Sequence, residues 1–317
     1  TPTNQRRFEA LAKDIFGERI RNEVMVKTPR ASVFFNANHP PYIESEANPR
    51  RLIGHATHWE IESLASGLWG YHHFPRAARL AATTNKPWYC MTGRFYRMWG
   101  DFGGIKHDRA LEYEVFRAQA LGAGVSIGDQ LHPAGQVSEP EYEPIRKVLS
   151  AYDAAAPLYE GVKPAFDVGV FYATSMHHDD RIQKHATAAE EGCLLLLDEL
   201  RFQPTMLDDQ SLLHDLKLVI VPEHSLLSQE TRGALGAYYD SGGRVLIVGN
   251  GGGHTDEDPV LPGLPFLVSD REWHAPSYAL HETGTEKLAA GYPYAMYLSG
   301  WELTFTGKRP QSLMNRI

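Results

Sequence analysis

Four short apolar runs in the first half of the chain, separated by stretches of helical periodicity, constrain its fold more than any other feature. Ala31–Phe35, His55–Ile61, Lys86–Thr92 and Gly124–Gly128 read as strands. Phe8, Leu11, Ala12, Ile15 and Phe16 repeat at helical spacing, and Pro29 stops that helix. Pro75–Thr83 reads as a second helix, and Leu111, Val115, Ala118 and Leu121 share one face of a third over Asp108–Leu121. Glu141–Tyr152 closes the series. Strand, polar loop and helix in alternation imply parallel β/α units, because parallel strands need a crossover. A closed barrel of this kind takes eight strands. With four, the stretch is either half a barrel or an open sheet.

The chain reads differently from residue 166 onward. Asp167–Tyr172, Phe202–Leu207, Lys217–Val221 and Arg244–Gly249 read as strands, with helices over Thr187–Leu200 and from Ser228 to Tyr239. Ser228 is placed to cap the second helix, and Gly242-Gly243 to end it. This is a doubly wound, flavodoxin-like pattern. Beyond Asn250 the chain is rich in Gly and Pro and reads as irregular. The expected divisions are therefore 1–160, 166–270 and an irregular 271–317.

Composition narrows the function classes. The chain has 317 residues and a net charge of −8, with no basic block, which speaks against a nucleic-acid partner. Its longest apolar runs, such as Cys193–Leu197 and Val245–Val248, are far short of the ~20 residues that span a bilayer. No signal peptide opens it, and two cysteines cannot build a disulfide framework or a Cys-rich zinc site. Cys90 and Cys193 lie in apolar runs and are expected to be buried thiols in a cytoplasmic protein.

The residues that carry chemistry fall at strand ends, where β/α barrels keep their sites. His58-Trp59-Glu60-Ile61-Glu62 ends the second strand, and its period of two puts both carboxylates on one face. Glu60 and Glu62 are the candidate catalytic groups, since apolar neighbours suit a carboxyl to general acid work. Trp59, Trp69, Phe95 and Trp99 are candidate sugar platforms. Arg94 and Asp101 lie in a loop dense in aromatics and glycines after the third strand. Asp129 ends the fourth strand and Asn36 the first; with His58 they are candidates to bind substrate hydroxyls.

Other motifs carry less. Asp101-Phe102-Gly103 stands without the remaining kinase motifs. His72-His73 point apart if extended, and His177-His178-Asp179-Asp180 lacks a third ligand at helical spacing, so no metal site is expected. Gly251-Gly252-Gly253-His254 lacks the Lys-Ser/Thr of a phosphate loop. Neither a nucleophile elbow nor a dinucleotide fingerprint occurs, and no cofactor is implied.

Three strings, "ATHWEIESLASGLWGYHHFP", "MTGRFYRMWGDFGGIK" and "LGAGVSIGDQLHPAG", resemble the α-L-fucosidase-like glycoside hydrolases of family 151. The segment Asp167–Gly249 is similar to the trimerisation domain that this group shares with family 42 β-galactosidases. The resemblance implies a retaining exo-glycosidase with a (β/α)₈ TIM barrel, a flavodoxin-like domain, an oligosaccharide substrate and a homo-trimer. It makes the four strands the fifth to eighth of the barrel, the C-terminal half, with the first four before Thr1. The nucleophile would sit on a strand before Thr1, and the fragment alone would be inactive. It leaves Glu60, at the end of the sixth strand, as acid/base. Family 42 enzymes carry their nucleophile Glu at the end of the seventh strand, where this chain reads Thr92-Gly93-Arg94. A β-galactosidase-like hydrolase and a non-catalytic sugar-binding or assembly protein are the alternatives.

Overall fold

A computed structural model describes residues 2–36, 54–130, 132–172, 180–223, 225–249, 251–252, 266–281, 295–307 and 314–316. The protein is mixed α/β with parallel sheets. It divides into two compact units, residues 1–166 with 194–206, and residues 167–193 with 207–317.

The first unit opens with helix α1 (Pro2–Lys27). Strands β1 (Trp59–Glu62), β2 (Trp88–Gly93) and β3 (Gly124–Gly128) form a parallel sheet in that order. Helix α2 (His73–Ala81) links β1 to β2, and α3 (Asp108–Ala120) links β2 to β3. Helix α4 (Glu139–Ala155) follows β3. One face of the sheet is a core: Trp59, Ile61 and Cys90 pack with Phe74, Ala77, Ala78 and Ala81 of α2 and Ala118 of α3. Leu111 and Val115 of α3 pack with Ile145 and Val148 of α4. Leu111, Val115 and Ala118 are the positions whose periodicity predicts α3.

The first predicted strand behaves differently. Among the described residues, Ala31–Phe35 carries no strand ladder. Its link to the sheet is local: Thr57 N–H donates to Val33 O at 2.9 Å, and Val33 N–H donates to Thr57 Oγ1 at 2.9 Å. A side chain takes the donor that a neighbouring strand would otherwise have bonded.

Every residue of α2 is buried, including Arg76 and Arg79. The charge of Arg79 is met within the same unit, where its Nη2–H donates to Asp198 Oδ1 at 2.5 Å. Arg117 of α3 donates to the other oxygen, Oδ2, at 2.6 Å. One carboxylate thus serves two guanidiniums, and burial pushes Arg79 below its ordinary range against the pull of Asp198.

The second sheet is parallel, in the order β5 (Pro204–Leu207), β4 (Val168–Phe171), β6 (Leu218–Val221), β7 (Arg244–Ile247). All four residues of β4 and of β5 are buried, as expected of strands covered on both sides. Helix α5 (Asp180–Glu199) runs well ahead of the predicted Thr187 start. Helix α6 (Gln229–Asp240) begins where predicted, with Ser228 Oγ accepting from Thr231 N–H at 3.1 Å.

The expected irregular tail is not irregular where it is described. β8 (Phe266–His281) pairs antiparallel with β9 (Ala295–Gly307), and β10 (Met314–Arg316) joins the other edge of β8. Register shifts between Val268 and Asp270 and between His274 and Ser277 interrupt the β8–β9 ladder. The surrounding Gly and Pro obscure a period of two in which Trp301, Leu303 and Phe305 alternate with Glu302, Thr304 and Thr306. No helix among the described residues is long and apolar enough to cross a membrane.

Candidate active site

The candidate site lies on the face of the first sheet that turns away from the helices. In register, Glu60 pairs with Tyr89 and Tyr89 with Gly124; Glu62 pairs with Met91 and Met91 with Ser126; Gly93 pairs with Gly128. Register partners in a parallel sheet share a face. Trp59 and Ile61 are buried on the core side, while Glu60 and Glu62 are half-buried on the other. The period of two predicted that Glu60 and Glu62 share a face.

Each carboxylate has its own partner. Glu60 Oε1 lies 3.0 Å from His58 Nε2. The His58 ring is held between Phe34, 5.8 Å between centroids, and the edge of Tyr89, 5.7 Å. Glu62 Oε1 accepts the indole N–H of Trp99 at 2.5 Å.

Trp99 reaches Glu62 from a loop whose ends are pinned by a Phe95–Ile105 bridge and by Tyr96 N–H donating to Gly104 O at 3.0 Å. Its six-membered ring rests on Gly128, where a Cβ would overlap the indole, and beside Gly93. On the neighbouring pair the Tyr89 ring lies over Gly124, which has no room for a Cβ either. Two aromatic rings thus rest against strand glycines, one at each end of the carboxylate pair. Tyr89 is 40% exposed and Trp99 37%, so both keep a solvent-facing side. Tyr89 was not among the residues the sequence singled out. Its register with Glu60 would have found it.

Other predicted residues sit elsewhere. Trp59 is in the core on the opposite side of β1, with its Nε1–H donating to Thr84 Oγ1 at 2.9 Å, so it forms no wall of this face. Phe95 is 1% exposed and lies edge-on beneath Trp99, 5.8 Å between centroids, as its support. Trp69 packs on His73 at 4.8 Å, and His73 in turn contacts Ser63. Asp101 folds into its own loop beside Gly104. Asn36 is exposed in the turn after Phe35.

Arg94 and Asp129 come together, but on each other. Arg94 is 5% exposed; its Nε–H donates to Asp129 Oδ1, its Nη1 lies 3.1 Å from Glu141 Oε1, and its guanidinium stacks 4.5 Å over Phe95. This clamp ties the ends of β2 and β3 to the start of α4. Burial pushes the Tyr142 phenol up, and its hydrogen bond to Asp129 adds to the shift.

On the helix side, Thr92, Lys106 and Glu114 form a cluster that the sequence does not reveal. Lys106 Nζ donates to Glu114 Oε2 at 2.6 Å and to Thr92 Oγ1 at 2.8 Å. Thr92 Oγ1 donates to the same Glu114 oxygen at 2.5 Å. All three are buried. Burial raises the Tyr71 phenol, and the Glu114 charge raises it further.

Among the described residues no group of three or more His, Cys, Asp or Glu side chains could hold a metal ion. His177, His178 and Asp179 lie outside them, as do Gly253 and His254. What the open face offers is an acid–base pair, a second carboxylate and two aromatic plates, a set suited to a polar ring compound with one apolar side.

No protein-family model matches the chain, and no curated protein matches it. Solved structures do. Alpha-L-fucosidase isoenzyme 2 from Paenibacillus thiaminolyticus is 29% identical, with a TM-score of 0.80, over 96% of this chain and 45% of its own. The β-galactosidase from Rahnella sp. R3 is 13% identical, with a TM-score of 0.74, over 99% of this chain and 52% of its own. Gan42B, a GH42 β-galactosidase from G. stearothermophilus, is 12% identical, with a TM-score of 0.73, over 99% and 51%. The chain has a glycoside hydrolase-like fold, and it spans about half the length of these enzymes.

Proposed function

We propose that this chain is part of a glycosidase that removes terminal α-L-fucose from oligosaccharides with retention, and that Glu60 is its acid/base. The observation that carries the reading is Glu60 itself. It is a half-buried carboxylate inside a short parallel strand, two residues before the strand's last residue Glu62, bonded to a histidine and flanked by Tyr89. Glu60 gives its proton to the glycosidic oxygen as the bond breaks, then takes one from the water that completes the reaction. Glu62 holds Trp99, whose exposed ring face packs against the apolar side of the sugar and its methyl group. No nucleophile is assigned among these residues, and Thr92-Gly93 offers no carboxylate at the end of β2.

The fucosidase at 29% identity over 96% of the chain supports the substrate class. The β-galactosidases, at 12–13% identity, support the fold alone. The strand order β5-β4-β6-β7 supports a flavodoxin-like second domain, and the three-stranded parallel sheet supports the C-terminal part of a barrel. On the same reading the protein is a homo-trimer. Its two free cysteines fit a reducing, cytoplasmic setting.

The test uses the full-length protein with 4-nitrophenyl α-L-fucoside and 4-nitrophenyl β-galactoside side by side. Turnover of the fucoside is expected, with a loss of about 10²–10⁴-fold for a poor leaving group in Glu60→Gln. Azide should rescue that variant on the activated substrate. Turnover of the galactoside alone would reject the substrate; wild-type activity in Glu60→Gln would reject the acid/base.

A further inference from the structure

We infer that Val33, Thr57 and His58 form a directed hydrogen-bond chain that reserves one oxygen of Glu60 for the substrate. The inference rests on the reading of Glu60 as acid/base.

It follows from an inventory of donors. The Thr57 hydroxyl accepts Val33 N–H at 2.9 Å and lies 3.1 Å from both Val33 O and His58 Nδ1. It has one hydrogen to give. Val33 O, 3.1 Å away, can also take that hydrogen, but it already receives Thr57 N–H at 2.9 Å and does not depend on the hydroxyl. Among the described residues no second donor reaches His58 Nδ1, and the hydroxyl hydrogen turned toward it makes Nδ1 the acceptor. A neutral imidazole with an accepting Nδ1 carries its hydrogen on Nε2. That hydrogen points at Glu60 Oε1, 3.0 Å away. The chain therefore runs in one sense, from the Val33 amide through the Thr57 hydroxyl and the His58 ring to Oε1, and each bond polarises the next.

The ring cannot easily turn out of this arrangement. Phe34 and Tyr89 flank it, and its side chain is only 15% exposed. Among the described residues the titratable groups on this face around it are Glu60 and Glu62 of β1 and Tyr89 of β2; the 31–36 segment contributes the uncharged Phe34.

With Oε1 held by Nε2–H, proton transfer belongs to Oε2. In the first step the Oε2–H bond breaks and the hydrogen goes to the leaving oxygen, with His58 unchanged and still donating to the new carboxylate. In the second, Oε2 takes a hydrogen from water. His58 and Thr57 are positioning residues: they touch neither the sugar nor the transferred proton.

The experiment compares His58→Leu, His58→Gln, Thr57→Val and Glu60→Gln in the full-length protein. Substrates are 4-nitrophenyl α-L-fucoside, whose leaving group needs little protonation, and methyl α-L-fucoside, which needs it fully. His58→Leu should lower kcat on the methyl fucoside by about 100-fold, with little change in KM and a far smaller loss on the nitrophenyl fucoside. His58→Gln keeps an N–H donor at the same reach and should recover much of that loss. Thr57→Val, nearly isosteric, should show the same leaving-group bias at about three- to tenfold. Equal losses on both substrates, or no recovery in His58→Gln, would mean a merely structural histidine and overturn the proposal. Wild-type behaviour of Thr57→Val would overturn the directed chain. Retained methyl fucoside turnover in Glu60→Gln would instead sink the acid/base reading beneath it. Should His58→Leu fail to fold, the Gln and Val variants carry the same comparison.

Discussion

The indole N–H of Trp99 meets Glu62 Oε1 at 2.5 Å across 37 residues of chain. The bond fixes the angle of a ring that also rests on Gly128, Gly93 and the buried edge of Phe95. Trp99→Phe keeps the plate and removes the anchor. A hydrogen bond to a charged group is worth ~1.5–3 kcal/mol when buried, and half-exposure reduces that here. We expect KM for the nitrophenyl fucoside to rise about fivefold to tenfold, with kcat and the unfolding midpoint nearly unchanged. Steady-state kinetics with a urea titration checks both.

Gly128→Ala tests the same ring from below. A Cβ at Gly128 would overlap the six-membered ring of Trp99, so the indole must lift. Overpacking of this sort costs ~1–3 kcal/mol where nothing can move; here a loop can. The expected result is a loss of near-ultraviolet circular dichroism and a rise in KM beyond that of Trp99→Phe, with far-ultraviolet signal intact.

Lys106 and Glu114 predict a stability effect with no catalytic counterpart. Lys106→Met leaves the Glu114 carboxylate buried with Thr92 alone. Stranding one member of a buried pair typically costs ~3–5 kcal/mol. The double variant Lys106→Met, Glu114→Leu should recover most of that loss. Urea unfolding of the two variants and the wild type decides the matter.

The thiols give a pH prediction. Burial pushes Cys193 up to about 11 from an ordinary 9.0, and Cys90 further still. At pH 8 the native Cys193 thiolate is then about a hundredfold scarcer than that of a free thiol. Both thiols should react slowly with Ellman's reagent in the native protein and at once in urea. Because the folded state holds these protons longer, stability is fully present below about pH 9 and falls as pH rises through about 11. Unfolding midpoints at pH 8, 9.5 and 11 should decline in that order.

Much of the site was legible because it depends on period. The alternation of Trp59, Glu60, Ile61 and Glu62 puts both carboxylates on one side, and β3 falls on its predicted residues. What stayed hidden depends on register and on side-chain reach. That Trp59 faces away from the carboxylates follows from the same alternation, yet its aromatic type drew it into the site. Tyr89 belongs there only because β2 pairs with β1 as Glu60↔Tyr89. That Arg94 pairs with Asp129 and Glu141, both far along the chain, follows from side-chain reach that no local spacing encodes. The Lys106–Glu114 pair is an i, i+8 spacing across a helix start, which no periodic template selects.

The clasp of Asp198 on Arg79 has a consequence for synthesis. The two residues are 119 positions apart, and Arg117 waits for the same carboxylate from 81 positions away. A ribosome makes α2 and α3 long before it makes Asp198. Until then the guanidinium of Arg79, which α2 buries in the finished fold, is without the carboxylate that meets it there, and so is that of Arg117.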